Sequence, residues 1–438
     1  MMPEYSSERT KLKILFHYKI ASKTGQWVHI SELMNAFKLN GHDVVVVASG
    51  GLTENKKKNT SQLVLKIKRH VPALAYELLE VGYGILDLLR MWRIYLKEKP
   101  DLVYERYNIA TFGGAWLQRV HGVPFFLEVN SPLLDERMAY GRVALPALGR
   151  YCERIVWRSA DRLLPISQAL SDILQRGGAE KHKIAVVPNG INEKHFLNEI
   201  DAAEAKKRLG LDGKFVVGFV GFVHAWHRLD IAMQAVGLLK DRDIVLLIVG
   251  EVTASSGLIK LAERLDLRHA VVFAGPAARE EVPEYIAAFD VAVQPGVPSY
   301  ACPLKLIEYM ALGKAIVAPR SPSIEEVLED DCTGLLFDAG DERSLSASLD
   351  RLRGSDELRV RLGSAARRHV IENRMTWRHN AQCVIEMFQE VKREAEYTPA
   401  SAPGWTSTTG PSSKPEARGD RKAHPVPRLK ARGARRAR

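Results

Sequence analysis

No stretch of this chain runs for about 18 uncharged apolar residues, the length a hydrocarbon core demands, so no membrane-spanning helix is expected. The first residues, MMPEYSSERTKLKILFHYKI, also lack the apolar run of a secretory leader. Cysteine is scarce: Cys152, Cys302, Cys332 and Cys383 are the only 4 in 438 residues. They lie far apart, with no C-x-x-C pair and no histidine cluster at ligand spacing, so neither a disulfide framework nor a zinc site is indicated. A reducing, cytosolic location is expected, with no metal and no cofactor. A net basic excess is small in the body of the chain despite a formal net charge of +11. Ten Lys/Arg against only Glu416 and Asp420 lie beyond Thr398, so eight of the eleven net charges belong to a tail and three to the rest. That argues against specific nucleic-acid binding by the body. The tail, rich in Pro, Gly, Ser and Thr, reads as disordered.

What the chain does contain is a series of short apolar runs separated by helix-period segments. Lys13–His17, Val44–Ala48, Leu102–Tyr104, Phe125–Val129 and Leu163–Ile166 form a first set. Phe215–Val220, Ile244–Val249, Val271–Ala274, Val291–Gln294, Ala315–Ala318 and Gly334–Phe337 form a second. Runs of this kind are strands buried on both faces of a parallel sheet, and two series imply two α/β domains. The turn signal Pro188-Asn189-Gly190 marks the connection between them, and the pattern Met375–Glu396 reads as one long final helix. Ligands of open parallel sheets bind at the carboxyl ends of the strands, so the cleft between two such sheets is the expected site.

The most chemically loaded segment is ACPLKLIEYMALGKAIVAP at 301–319. Pro303 suits a helix start, and the amides around Ala301, Cys302 and Leu304 would face an anion at that helix N-terminus. Leu304, Ile307 and Ala311 make an apolar stripe, with Glu308 beside it near a cleft rim. A carboxylate there can accept two hydroxyl hydrogen bonds, as from a ribose; the competing reading pairs Glu308 with Lys305 on a solvated face.

With the Gly25 loop after the first strand, PNGIN at 188–192 followed by Phe196, FVGF at 219–222, LIVGE at 247–251, PLKLIEYMALGKAIVAP and GLLF at 334–337, the chain resembles the family 4 retaining glycosyltransferases from about residue 12 to 396. The resemblance implies an α/β GT-B architecture: two Rossmann-like parallel-sheet domains facing a central cleft, with the C-terminal helix returning towards the N-terminal domain. It divides the chain into an acceptor-side domain over 1–195, a nucleotide-sugar donor domain over 196–375, the helix 376–397 and the basic tail 398–438.

The resemblance also assigns the donor site. In an E-x7-E motif the second carboxylate, here Glu308, binds the nucleotide ribose, while Tyr300 stands where the first would be. Ala301, Cys302, Pro303, Leu304 and Lys305 would line the phosphate and sugar pocket, together with Gly25, His29, Gly250 and Glu251. A second departure lies in GFVHAWHRLD: Phe222 and His227 replace the Arg and Lys that hold the diphosphate in relatives, and His224 and Arg228 lie close by. Arg228 is the expected cation, with His227 donating a hydrogen bond. Glu128 and Asn130 end a strand where relatives often carry a histidine at the sugar. Asn130 is a neutral amide and a poor general base, which fits a retaining reaction in which the departing phosphate helps deprotonate the acceptor. For Glu128 a loop-holding role competes with a catalytic one.

The acceptor is expected against the N-terminal domain, where KIKRHVPALAYELLEVGYGILDLLRMWRIYLKEK mixes Lys/Arg with Leu, Trp and Tyr. Such a surface suits peripheral contact with an anionic membrane at its inner face and a lipid-linked acceptor. A buried helix with solvated ends is the alternative, and Gly82 and Gly84 argue against one long surface helix. The expected activity is transfer of a hexose-type sugar from a UDP or GDP donor to a glycan or glycolipid in cell-envelope polysaccharide synthesis. A non-hydrolysing sugar-nucleotide epimerase and a non-catalytic nucleotide-binding paralogue are the competing readings.

Overall fold

In the computed structural model, residues 11–20, 25–49, 72–141, 143–253 and 257–397 are described; the tail from 398 and the segment 66–71 of the basic stretch lie outside them. Each apolar run of the sequence is a strand. β1 (Lys13–Lys19), β2 (Asp43–Ser49), β3 (Leu102–Arg106), β4 (Phe125–Val129) and β5 (Arg162–Pro165) form one sheet in the order β2-β1-β3-β4-β5. β6 (Phe215–Val220), β7 (Ile244–Val249), β8 (Val271–Gly275), β9 (Val291–Val293), β10 (Ala315–Pro319) and β11 (Leu335–Phe337) form the other, ordered β11-β10-β9-β6-β7-β8. Every pairing in both sheets is parallel. Helices cover both faces, which is why IVLLIV of β7 and LVYER of β3 are buried at every position.

The strand order reverses between β1 and β3 in the first sheet and between β6 and β9 in the second. Chains leaving neighbouring strands at such a point diverge to opposite faces and open a crevice at the carboxyl ends. Both crevices receive the residues of interest. The helix Gly25–Leu39 follows β1, the turn Ala225–His227 follows β6, and the helix Leu304–Ala311 follows β9.

The two halves are joined twice. The first crossing, around 187–196, lies against the second, around 375–377: Ile191 N–H donates to the Met375 carbonyl at 3.0 Å and Trp377 N–H to the Ile191 carbonyl at 3.1 Å. Gly190 is required there, because a Cβ would lie 2.6 Å from Thr376 C and Trp377 N. The final helix, Trp377–Tyr397, then packs Trp377, Ala381, Val384, Ile385 and Phe388 into the core built on β1 and the helix Gly25–Leu39. The C-terminal helix thus returns to the N-terminal half, as the resemblance implies.

One sequence expectation is corrected. Ala73–Glu98 is a single helix of 26 residues running through Gly82 and Gly84. The propensity cost of two glycines, about 1 kcal/mol each, is overridden by packing. Gly84 sits against the Ala110 backbone, where a Cβ would come within 2.0 Å of the carbonyl oxygen. The opposite side of this helix is apolar yet open, with Leu78 63% and Leu86 65% exposed. Among the described residues no helix is long and apolar enough to cross a membrane.

Candidate active site

On the second sheet the site is built around the helix Leu304–Ala311. Pro303 precedes it in extended conformation, and its missing N–H costs nothing there. The Ala301 amide is spent on the Pro298 carbonyl at 2.9 Å, and Leu306 N–H bonds back to Pro303 at 3.1 Å. The amides left open at the helix start are therefore those of Leu304 and Lys305, which precede any intrahelical acceptor. Ala301 is thus removed from the expected amide set. Cys302 is buried, which pushes its thiol up to about 12, and its carbonyl accepts from Asn189 Nδ2 at 2.5 Å. This bond ties the helix entry to the interdomain crossing.

Glu308 is almost fully buried and pairs with Arg279, Nη2 to Oε1 at 2.7 Å, not with Lys305. Arg279 lies on the segment after β8, and its guanidinium stacks 4.7 Å from the centre of the Phe196 ring. The pair engages one carboxylate oxygen, Oε1, and leaves Oε2 outside it. Lys305, half-buried in the first turn of the helix, extends the other way. Its Nζ lies 3.2 Å from His227 Nε2 and 4.3 Å from the centre of the Phe219 ring.

His224 N–H donates to His227 Nδ1 at 3.3 Å. Burial, then the neighbouring Lys305 and His224, lower His227 to about 2, so its ring is neutral. Arg228 has φ +50° and directs its guanidinium onto Asp230, with Nη2 to Oδ2 at 3.1 Å. The cation expected from sequence is therefore already ion-paired, and about half of its side chain is exposed. Phe222 is 40% exposed and brings no charge.

Tyr300 reaches across to the first half. Its hydroxyl donates to Glu136 of the helix Leu133–Tyr140, and its carbonyl accepts from Ser167 Oγ at 2.6 Å. A carboxylate therefore stands next to the position where the E-x7-E motif would place its first acid, but it comes from a distant part of the chain. Gly250 directly follows β7 with φ +155°, and a Cβ there would lie 2.1 Å from the Gly221 carbonyl oxygen. Gly250→Ala is expected to push apart the ends of β6 and β7, lowering the thermal midpoint by several degrees and weakening nucleotide binding; differential scanning calorimetry of the variant checks it. Glu251, next to it, is exposed.

On the first sheet, Glu128 at the end of β4 is a buried hub. Arg106 Nη1 donates to Oε1 at 2.7 Å, Tyr104 hydroxyl to Oε2 at 2.8 Å, and Asn130 Nδ2 to Oε1. Burial alone would raise its pKa, but His29, Arg106 and these donors outweigh it and hold the carboxyl below its ordinary value. Such a carboxylate keeps its charge and organises others; it does not take up a proton. Arg106 Nη1 also lies 2.8 Å from His29 Nδ1, which places that ring's proton on Nε2. Burial is the main cause that lowers His29 to about 4, and its ring meets Trp377 edge to face at 4.7 Å. Asn130 is thus tied to the hub it was grouped with. Gly25 opens the helix after β1, and among the described residues a Cβ there would meet nothing within 4 Å. The preceding loop residues 21–24 lie outside the described residues.

Sequence reading missed Arg279, Glu136 and Arg106. Arg279 and Arg106 stand at or just past the carboxyl ends of β8 and β3, and that placement is the one signal that could have found them. Glu136, in a helix, carried none.

Two all-parallel sheets, joined by a double crossing and followed by a final helix that packs back on the first, make the GT-B architecture. Comparisons agree. The chain overlays HepE of Anabaena, solved with UDP and glucose, with a TM-score of 0.68 at 17% identity over 86% of this chain and 100% of that one. It overlays sucrose-phosphate synthase of Thermosynechococcus elongatus with a TM-score of 0.72 at 16% identity, over 88% of this chain and 100% of that one. Residues 23–195 match the model described as Glycosyltransferase Family 4 and residues 201–369 that described as Glycosyl transferases group 1. Similar proteins include D-inositol 3-phosphate glycosyltransferases of Corynebacterium jeikeium, 27% identical over 66% of this chain and 72% of that one, and of Streptomyces bingchenggensis, 28% identical over 74% and 76%. The chain belongs to the family 4 glycosyltransferases, and it is a glycosyltransferase.

Proposed function

We propose that this glycosyltransferase retains anomeric configuration, takes a sugar from a UDP or GDP donor and delivers it to a lipid-linked or glycan acceptor of cell-envelope polysaccharide synthesis. The observation that carries the donor half is the helix Leu304–Ala311 at the β6/β9 switch point. Its open amides, the Lys305 amine and the Glu308 carboxylate lie within two turns of one another. This array matches, in order, a sugar diphosphate and a ribose: donors and a cation for the phosphates, an acceptor for two hydroxyls. HepE, whose structures hold UDP or UDP-glucose, supports a uridine donor.

Retention is supported by the lack of a suitable protein base at the end of β4. Glu128 is saturated by donors and Asn130 is neutral, so the acceptor proton passes to the departing diphosphate. Tyr300 and Glu136 stand ready to read sugar hydroxyls in place of a paired motif acid.

The acceptor half rests on the first domain. A groove runs between the helices Ala73–Glu98, Leu133–Tyr140 and Pro146–Ser159, lined by Leu74, Leu78, Leu134, Leu145, Leu148 and Val156. With Leu86 and the neighbouring exposed leucines of the first helix, it suits the hydrocarbon of a lipid-linked acceptor at a membrane surface. The test is calorimetric titration of the full chain with UDP, GDP and ADP and their sugar conjugates. One nucleotide is expected to bind selectively, and its sugar conjugate to be consumed when a polyprenyl-linked acceptor in anionic vesicles is added. A folded sample that binds none of the nucleotides overturns the donor reading.

A further inference from the structure

The positions after β6 to which the family resemblance assigns the diphosphate carry Phe222 and His227, and Arg228 is committed to Asp230. A leaving diphosphate nevertheless needs a positive partner where its charge grows. The geometry points to Lys305 as the residue that fills this role, reaching from the helix start into the His227 position and carrying its full positive charge once a diphosphate is bound. The inference rests on the proposed nucleotide-sugar donor and names the group that stabilises its leaving.

Three observations converge. Lys305 Nζ touches His227 Nε2 at 3.2 Å, so the amine occupies the place that a cation from the β6 loop would have taken. The space is made for it: a Cβ at Gly221 would lie 2.9 Å from Lys305 Cε and 3.1 Å from Nζ. The amine also sits over the Phe219 ring and at the opening of a helix, where the free amides of Leu304 and Lys305 gather on the same anion. One cation and two amides on a single phosphate pair make a complete site.

The hydrogen-bond pattern shows how the charge is held before the donor arrives. His227 Nδ1 accepts from the His224 amide, so the ring proton is on Nε2. An Nε2–H facing an amine at 3.2 Å is satisfied only by the neutral amine, which accepts it. Burial lowers Lys305 to about 7, with Glu308 the opposing influence that raises it. The titratable groups that influence it or are influenced by it are Glu308 on its own helix and His224 and His227 on the β6 loop. Burial also lowers His224, and His227 is at about 2, so neither histidine takes up a proton above neutral pH. Arg279 stays on Glu308.

An anionic diphosphate favours the ammonium form. Above about pH 7 its binding therefore takes up a proton at Lys305. During transfer the bond from the anomeric carbon to the diphosphate oxygen breaks with both electrons left on that oxygen, next to the ammonium. The acceptor hydroxyl forms the new bond to the anomeric carbon, and its proton goes to the diphosphate.

The test uses the full chain, Lys305→Met and Lys305→Arg, titrated with UDP, GDP and the matching monophosphates at pH 8 in two buffers of different ionisation enthalpy. For the wild type, diphosphate binding is expected to take up a proton. In Lys305→Met the uptake disappears and diphosphate affinity falls about ten- to a hundredfold, the size of a lost charge-assisted contact, while the monophosphate loses less. Lys305→Arg should restore most of the affinity without proton uptake, since a guanidinium stays charged. If wild type and Lys305→Met bind the diphosphate equally, or proton uptake persists in Lys305→Met, this assignment is overturned while the donor reading stands. If no diphosphate binds to folded wild type, the donor reading fails and takes the assignment with it.

Discussion

Replacing Glu128 with alanine is expected to destabilise the fold by about 3–5 kcal/mol, because removing one partner of a buried pair strands the other. Arg106 would keep its charge in the first domain's interior with only the neutral His29 ring beside it, and Tyr104 hydroxyl would lose its acceptor. Urea unfolding of the variant against wild type measures this as a shift of midpoint at constant slope. Glu128→Gln keeps an acceptor for Tyr104 but loses the charge opposite Arg106, so it should fall between the two. A loss below about 1 kcal/mol in Glu128→Ala, typical of an exposed pair, would remove the hub role. The result bears on function because the same hub holds His29 and Asn130 at the first domain's side of the cleft.

Glu308→Ala should weaken binding of the selected nucleoside diphosphate by about 1–3 kcal/mol, the cost of leaving two ribose hydroxyls without an acceptor. The loss has a second component, since the variant also frees Arg279 from the carboxylate that holds it at 2.7 Å. The two components separate with 2′-deoxynucleotide: a direct ribose contact predicts that wild type discriminates against the deoxy ligand and that Glu308→Ala does not. Equal discrimination in both proteins would sink the ribose contact. Arg279→Ala is expected to weaken both ligands alike, because it loosens Glu308 without touching one particular hydroxyl.

How much of this was legible in advance differs between backbone and site. IVLLIV and FVVGFV announce strands because a parallel sheet covered on both faces leaves no polar side to alternate with. The helix after Pro303 is legible because a proline start and a 3.6-residue stripe are local. Gly84 misled, since its propensity cost is local while the close approach to Ala110 that justifies it is not. The site pairs were illegible for the same reason. Lys305 and Glu308, three residues apart on one helix, look like partners by spacing. The structure instead sends Lys305 to His227 and Glu308 to Arg279, each on a separate strand-end segment.

The sequence by itself determined the class of the fold, the order of its strands along the chain and the departures at Phe222 and Tyr300 from the family pattern. These follow from hydrophobic periodicity, from proline and glycine chemistry, and from the ordered motifs that carry the family resemblance. Only the tertiary structure decided which partners these residues meet: Lys305 beside His227, Glu136 beside Tyr300, Arg279 on Glu308, and Glu128 as a holding carboxylate. Each is a contact between residues far apart in the chain or on competing faces of one helix. Such contacts are set by where two parallel sheets bring their strand ends, which no local pattern records.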